Sequence, residues 1–242
     1  MTLGIRAQAQ QNGYVLLRDL LSPDLGQALA LGIEDALGTQ TVTPGSPTSF
    51  GLGYFPRTPR LWPLLHHQPL TNALIDFLGT SPVLLPSVDT IAVNGSETGP
   101  HRDSSYDALP SVEGNNDPRY GIVRAIFYPS RGPGRSNNEF LVLPGSHLPG
   151  WEKPDDVSSA MTPLAIGPRD AVLFDARLVH AGAPHRHTKH LLTLTFGPDN
   201  VLSQETHSHE MKNLATMGFE TDLSPGFGTL LDRTGLAPRW VG

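Results

Sequence analysis

Gly167-Pro-Arg-Asp-Ala-Val-Leu-Phe-Asp-Ala-Arg-Leu-Val-His180 decides how this chain folds. Gly167-Pro168 marks a turn, Ala171 to Phe174 is a short apolar strand, and a second turn delivers His180 into another extended stretch. A histidine in that place carries chemistry only when partners reach it, and His101-Arg102-Asp103 offers two. Residues two apart in an extended segment share a face, so His101 and Asp103 can address one ion while Arg102 points away. Imidazole and carboxylate together suit Fe(II) or another divalent first-row metal, and His180 as third ligand completes a facial triad with three positions open. Alone, a His-x-Asp tripeptide is more often a surface pair. Its weight here comes from the interval between 103 and 180, which holds enough strands to travel round a barrel and return beside its start.

Further strands are expected at Val83–Leu85, Val88–Asn94, Ile122–Tyr128, Phe140–Leu143, Leu164–Ile166 and Leu191–Phe196. Turn residues separate them at Gly132-Pro-Gly134, Pro144-Gly-Ser146 and Gly197-Pro198. Ahead of them, Gly13-Tyr-Val-Leu-Leu-Arg18 reads as a strand. Ser22-Pro-Asp24 then supplies an N-cap, a first-turn proline and an acid for a helix. Leu25, Ala28, Leu29, Ile33, Ala36 and Leu37 recur along it at helical spacing, with Gly38 as its stop. Residues 39–63, with Pro44, Pro47, Pro56, Pro59 and Pro63, read as a loop. A second helix is expected from about Pro69 to Leu78, ended by Gly79. In the tail, 200–242, only Met211 to Met217 suggests a short helix. The sum is a mainly β jelly-roll or related barrel with N-terminal helices packed outside. It forms one domain over 1–242, with a barrel core at about 83–198.

Composition narrows the function classes. A formal charge of −6 and a pI near 5.9 argue against a nucleic-acid binder, which would carry a basic face. There is no cysteine, so disulfides and thiolate metal sites are excluded. The start, Met1-Thr-Leu-Gly-Ile-Arg, lacks the apolar core of a signal peptide, and no apolar run approaches a bilayer's thickness. A soluble cytoplasmic protein without a membrane partner is the expectation. No Gly-x-Ser-x-Gly elbow, phosphate loop or His-Glu-x-x-His helix is present, so hydrolase and zinc-protease readings lack support.

Several of these segments together resemble the phytanoyl-CoA dioxygenase-like branch of the Fe(II)/2-oxoglutarate oxygenases, over roughly residues 10 to 198. Gly13 to Pro23 is similar to the family's opening strand and helix start. Leu143-Pro-Gly-Ser-His147 matches its turn between barrel strands, and Gly167 to Phe174 the strand leading to its distal histidine. His101-x-Asp103 and His180 follow in the family's order. The resemblance implies a double-stranded β-helix, the cupin-like form of the jelly roll, holding Fe(II) through His101, Asp103 and His180. It also implies 2-oxoglutarate as co-substrate, chelating the metal, and O2 as oxidant. Oxidation of a C–H bond of a small-molecule substrate would release succinate and CO2. Because Asp103 keeps the triad full, it favours hydroxylation or desaturation over halogenation.

One position departs from the pattern. The family places an arginine ten or eleven residues beyond the distal histidine, where its fork binds the C5 carboxylate of 2-oxoglutarate. Here that position is His190, with Lys189 beside it. Three replacements are open: His190 itself, helped by Thr193 or Ser146; a register shift bringing in Lys189 or Arg186; or Arg124, in the middle of the apolar strand Ile122–Tyr128. An arginine there needs a partner if buried; a solvent-facing position or a structural acid would also account for it. Asn94 is a further candidate polar contact.

The remaining histidines carry blander readings. His185, His187, His207 and His209 form two His-x-His pairs without a carboxylate companion, and His66-His67 reads as surface. His147 reads as bracing its turn. Asp175 is either a surface acid or an acceptor orienting a ligand histidine. Residues 104–120 are a candidate substrate lid and Phe50 to Arg57 a candidate lining of the same mouth, the alternative for either being a loop that covers a barrel edge. The missing arginine motivates one rival function, a metal-dependent barrel enzyme that does not use 2-oxoglutarate. A non-catalytic binding protein on the same barrel is another.

Overall fold

The computed structural model describes residues 3–37, 49–85, 90–93, 98–103, 109, 117–129, 138–182, 190–217 and 224–239. The N-terminal part runs α1 (Ile5–Asn12), β1 (Tyr14–Leu17), α2 (Pro23–Leu37) and β2 (Ser49–Leu52). Two 3-10 stretches, Phe55–Arg57 and Pro59–His66, lead into α3 (Gln68–Leu78) and β3 (Pro82–Leu84). Then come β4 (Thr90–Val93), β5 (Thr98–His101), β6 (Val123–Phe127), β7 (Asn138–Val142) and the single turn α4 (Val157–Ala160). The last strands are β8 (Thr162–Ile166), β9 (Ala171–Asp175), β10 (His180–Gly182) and β11 (His190–Pro198), followed by α5 (Val201–Thr216) and α6 (Pro225–Thr234).

All strand pairs are antiparallel and fall into two sheets. One has the order β1-β9-β6-β11-β4-β2, with β3 also on β11; the other has the order β5-β10-β7-β8. From β4 onward the chain passes between the sheets: β4, β6, β9 and β11 lie in the first, β5, β7, β8 and β10 in the second. This is the expected double-stranded β-helix, with helices on its outer face.

The pleat divides each strand of the larger sheet between two environments. Val123, Ala125 and Phe127 of β6 and Leu192, Leu194 and Phe196 of β11 face outward, in one cluster with Leu29 and Ile33 of α2 and Leu70 and Leu74 of α3. Ile126 and Tyr128 face inward, to Phe140, Val142, Leu164, Ile166, Val172 and Phe174. Helix α2 begins as its cap signal predicts, with Ser22 Oγ accepting from the Leu25 amide at 3.2 Å; Gly38 lies outside the described residues. Gly13 ends α1 with φ of 81°, and a Cβ there would stand 2.5 Å from His147 Nδ1, so only glycine lets the helix turn this close to that ring.

Three expectations need correction. The proline-rich stretch read as a loop contains β2 and the 3-10 turns; Pro56 and Pro59 stand in their first positions, where no amide donor is needed, and Pro63 lies inside the second. The tail holds two helices, α5 and α6, and not one short one. Helix α1 was not expected, because Ile5-Arg-Ala-Gln-Ala-Gln-Gln-Asn12 carries no apolar stripe. Among the described residues, no helix is long and apolar enough to cross a membrane.

Candidate metal centre

β5 and β10 are hydrogen-bonded neighbours in the smaller sheet, and their register sets His180 opposite His101. Their ring centroids are 4.3 Å apart. Asp103, two residues past the end of β5, brings Oδ1 to 3.4 Å from His101 Nε2 and 3.6 Å from His180 Nε2. One donor atom from each of the three lies within 4.8 Å of the others, and this is the one such His/Asp/Glu group among the described residues. Adjacent octahedral donors around a first-row ion stand ~3 Å apart, so a small side-chain adjustment lets the three share one.

Both imidazoles are oriented from behind. His101 Nδ1 lies 2.8 Å from the Gly99 carbonyl and His180 Nδ1 3.1 Å from that of Leu178. A carbonyl can only accept, so each Nδ1 donates, and this orients each Nε2 toward Asp103. The carbonyl of Leu178 thus holds the place proposed for Asp175. That acid is engaged elsewhere, accepting from the backbone amide, Nε and Nη2 of Arg177. Side-chain exposure falls from 43% for His101 through 27% for Asp103 to 6% for His180, so the group opens to solvent on one side. Hydrogen bonding to Asp103 raises the pKa of His101, while burial lowers that of His180. Burial alone would raise Asp103, but His101, His180 and Arg124 outweigh it and hold its carboxyl well below the carboxylate range.

Arg102 points away from the group, as the alternation requires. Its Nη2 donates to the Ser146 carbonyl at 2.8 Å and its guanidinium sits 5.0 Å from the Trp151 ring centroid. Ser146 Oγ accepts from the Val179 amide, so one serine steadies the segments before both His180 and Asp103. His147 packs against Gly13 at the end of α1, and burial lowers its pKa.

Arg124 is buried on the inner face of β6. Its Nη1 bonds Thr195 Oγ1 on β11, the residue directly across the ladder. Nε lies 3.4 Å from Asp103 Oδ2, and Nη2 lies 3.4 Å from both the Asp103 carbonyl and Glu210 Oε1. A fixed cation therefore stands beside the triad on the inner face, with Thr193 on the same side of β11 by alternation.

His190 is placed differently from the expectation. It shares the outer face of β11 with Leu192 and Leu194, and its Nε2 lies 3.1 Å from Glu34 Oε1 of α2. It faces away from the triad, so the co-substrate contact assigned to it is withdrawn. Asn94 and Lys189 lie outside the described residues, as do Arg186, His185, His187 and most of 104–120. Glu210 was not foreseen. It sits on a helix without an apolar stripe, and nothing in the sequence singles it out from the other charges of α5.

No family model and no curated protein matches the chain in sequence. Solved structures do match in fold. The non-heme alpha-ketoglutarate-dependent epimerase SnoN of nogalamycin biosynthesis superposes with a TM-score of 0.63 at 14% identity, over 80% of this chain and 81% of its own. ThoJ, described as a non-heme monooxygenase, gives 0.63 at 12% identity, over 96% and 99%. EvdO2 from Micromonospora carbonacea var. aurantiaca, complexed with 2-oxoglutarate, gives 0.60 at 16%, over 81% and 91%. At such identities the likeness is one of architecture: the chain shares the cupin-like barrel of these enzymes.

Proposed function

We propose that the protein is an Fe(II)- and 2-oxoglutarate-dependent oxygenase acting on a small molecule. The observation that carries this reading is the convergence of His101, Asp103 and His180, from the ends of two paired strands, on one point of the barrel. Their donor set is two oriented imidazoles and one ionised carboxylate, the facial triad of non-haem Fe(II) enzymes. SnoN has been crystallised with Fe3+ and alpha ketoglutarate, and EvdO2 with 2-oxoglutarate, on the same fold.

His101, Asp103 and His180 would hold Fe(II), which with 2-oxoglutarate and O2 supplies the oxidising power and releases succinate and CO2. The remaining work belongs to the chain. The carbonyls of Gly99 and Leu178 take the Nδ1 protons, which aims both Nε2 atoms at the site. Arg124 stands in for the arginine that position 190 lacks; its guanidinium, steadied by Thr195 and flanked by Thr193, receives the distal carboxylate of the co-substrate. Burial of Arg124 strengthens that pairing by excluding competing water. With Asp103 completing the triad, we assign C–H oxidation, by hydroxylation or desaturation. SnoN and ThoJ, an epimerase and a monooxygenase, illustrate how far outcomes vary on one barrel.

Anaerobic titration of the Fe(II) protein with 2-oxoglutarate tests the reading. A visible charge-transfer band that saturates, and that is missing in His180→Ala, is the expected result. No band at millimolar 2-oxoglutarate would instead favour a metal-dependent barrel enzyme that does not use it, the reading that the histidine at 190 motivates.

A further inference from the structure

Glu210 plays no part in the chemistry just described, yet it is buried beside it. Ser203, Thr206, Glu210 and Leu214 follow one another at helical spacing on the covered side of α5. That side is unusual for a covering helix, because its middle is polar. The Glu210 side chain is only 12% exposed. Its Oε1 lies 3.4 Å from Arg124 Nη2, and the same guanidinium lies 3.4 Å from Asp103 Oδ2. One arginine therefore separates this carboxyl from the triad. Its Oε2 is buried and receives no hydrogen bond among the described residues. A buried acceptor without a donor is costly, and a helix that merely closed the barrel would have no use for one. Burial, only partly offset by Arg124, raises the carboxyl to about 7.

Charge points to what is missing. A divalent iron, Asp103, dianionic 2-oxoglutarate and Arg124 cancel formally, leaving an ionised Glu210 as the excess charge among these groups. We infer that Glu210 is a substrate-recognition residue that receives a cationic nitrogen, a protonated amine or guanidinium, on the molecule to be oxidised. The substrate then supplies both the donor that Oε2 lacks and the charge that balances the site. Arg124 serves the co-substrate and Glu210 the substrate, so the two anions are not exchanged. This rests on the oxygenase reading above for the word substrate, but the cation site itself does not need metal.

The test uses matched probes of similar shape and different charge: pentylamine and butylguanidine against 1-pentanol and N-butylacetamide. Binding is followed in two ways. One is ligand-observed NMR on the metal-free full chain; the other is perturbation of the charge-transfer band of the anaerobic Fe(II)·2-oxoglutarate protein. The cations should bind at least tenfold tighter than their neutral partners. Glu210→Gln should bring that ratio below about twofold while keeping the 2-oxoglutarate band, and Glu210→Ala serves equally should the glutamine variant not fold. Equal binding of charged and neutral probes overturns the proposal, as does a cation preference that survives both substitutions. Absence of the 2-oxoglutarate band with cation selectivity intact would instead count against the oxygenase reading and leave Glu210 its cation.

Discussion

His180 and His190 open consecutive strands, are both buried, and each lies near one carboxylate, yet they face opposite sides of the barrel wall. His180 meets Asp103 and His101 at the inner end of β10. His190 looks outward from β11 and ties the barrel to Glu34 of α2. The two faces of the larger sheet repeat the contrast. Inward stand Arg124 and Thr195; outward stand Ala125 and Leu194, under helices. What assigns a role here is the face on which the pleat sets a residue, since a one-residue slip would exchange the two populations.

The largest expected effect sharpens that contrast. His180→Ala should lower affinity for Fe(II) or a surrogate divalent ion at least a hundredfold by calorimetric titration, whereas His190→Ala should stay within about twofold. Equal losses in the two would break the assignment of faces. Next is Arg124→Met, which removes the inner cation but keeps the hydrocarbon. It should weaken 2-oxoglutarate binding about thirtyfold or more, roughly the ~2 kcal/mol lower end for losing one partner of a buried charge pair, with metal affinity retained. A 2-oxoglutarate affinity unchanged by this substitution would return the search to the segment around Lys189.

Glu210 provides a pH test of the inner face. Its carboxyl is raised from 4.5 to about 7, so between those values the folded chain holds a proton that the unfolded chain has released. Stability therefore falls as pH rises through that window and levels off above it. Glu210→Gln should abolish the fall, a relative gain on the order of 3 kcal/mol well above pH 7 by chemical denaturation. A slope that persists in the variant would mean another group titrates there. The smallest effect belongs to the outer face: Glu34→Gln should cost ~1 kcal/mol or less, because this carboxylate is partly solvated and its loss leaves a polar group in place. No change in co-substrate binding should accompany it.

Legibility in the sequence followed the same division. Helix α2 announces itself through Ser22, Pro23 and an apolar stripe because it buries hydrocarbon. Helix α5 covers a polar region, so its buried positions are Ser203 and Thr206 as well as Leu202 and Leu214, and no period emerges. The triad was visible because His-x-Asp has the spacing of one strand face. Its convergence required the β5–β10 register, which depends on partners far away in the chain. Counting from the distal histidine reaches position 190 but carries no information on which face the pleat presents there, and His190 lies on the outer one. Arg124 carried its own signal, a charge inside an apolar run.

The β-helix topology has a consequence for how the protein comes into being. β1 pairs with β9, Tyr14 opposite Phe174, and His101 meets His180 only across a ladder closed late in the chain. On a ribosome the first two donors emerge well before the third exists. Such long-range pairing makes for slow closure. A metal ion that needs all three donors would therefore bind only after the β5–β10 ladder has closed.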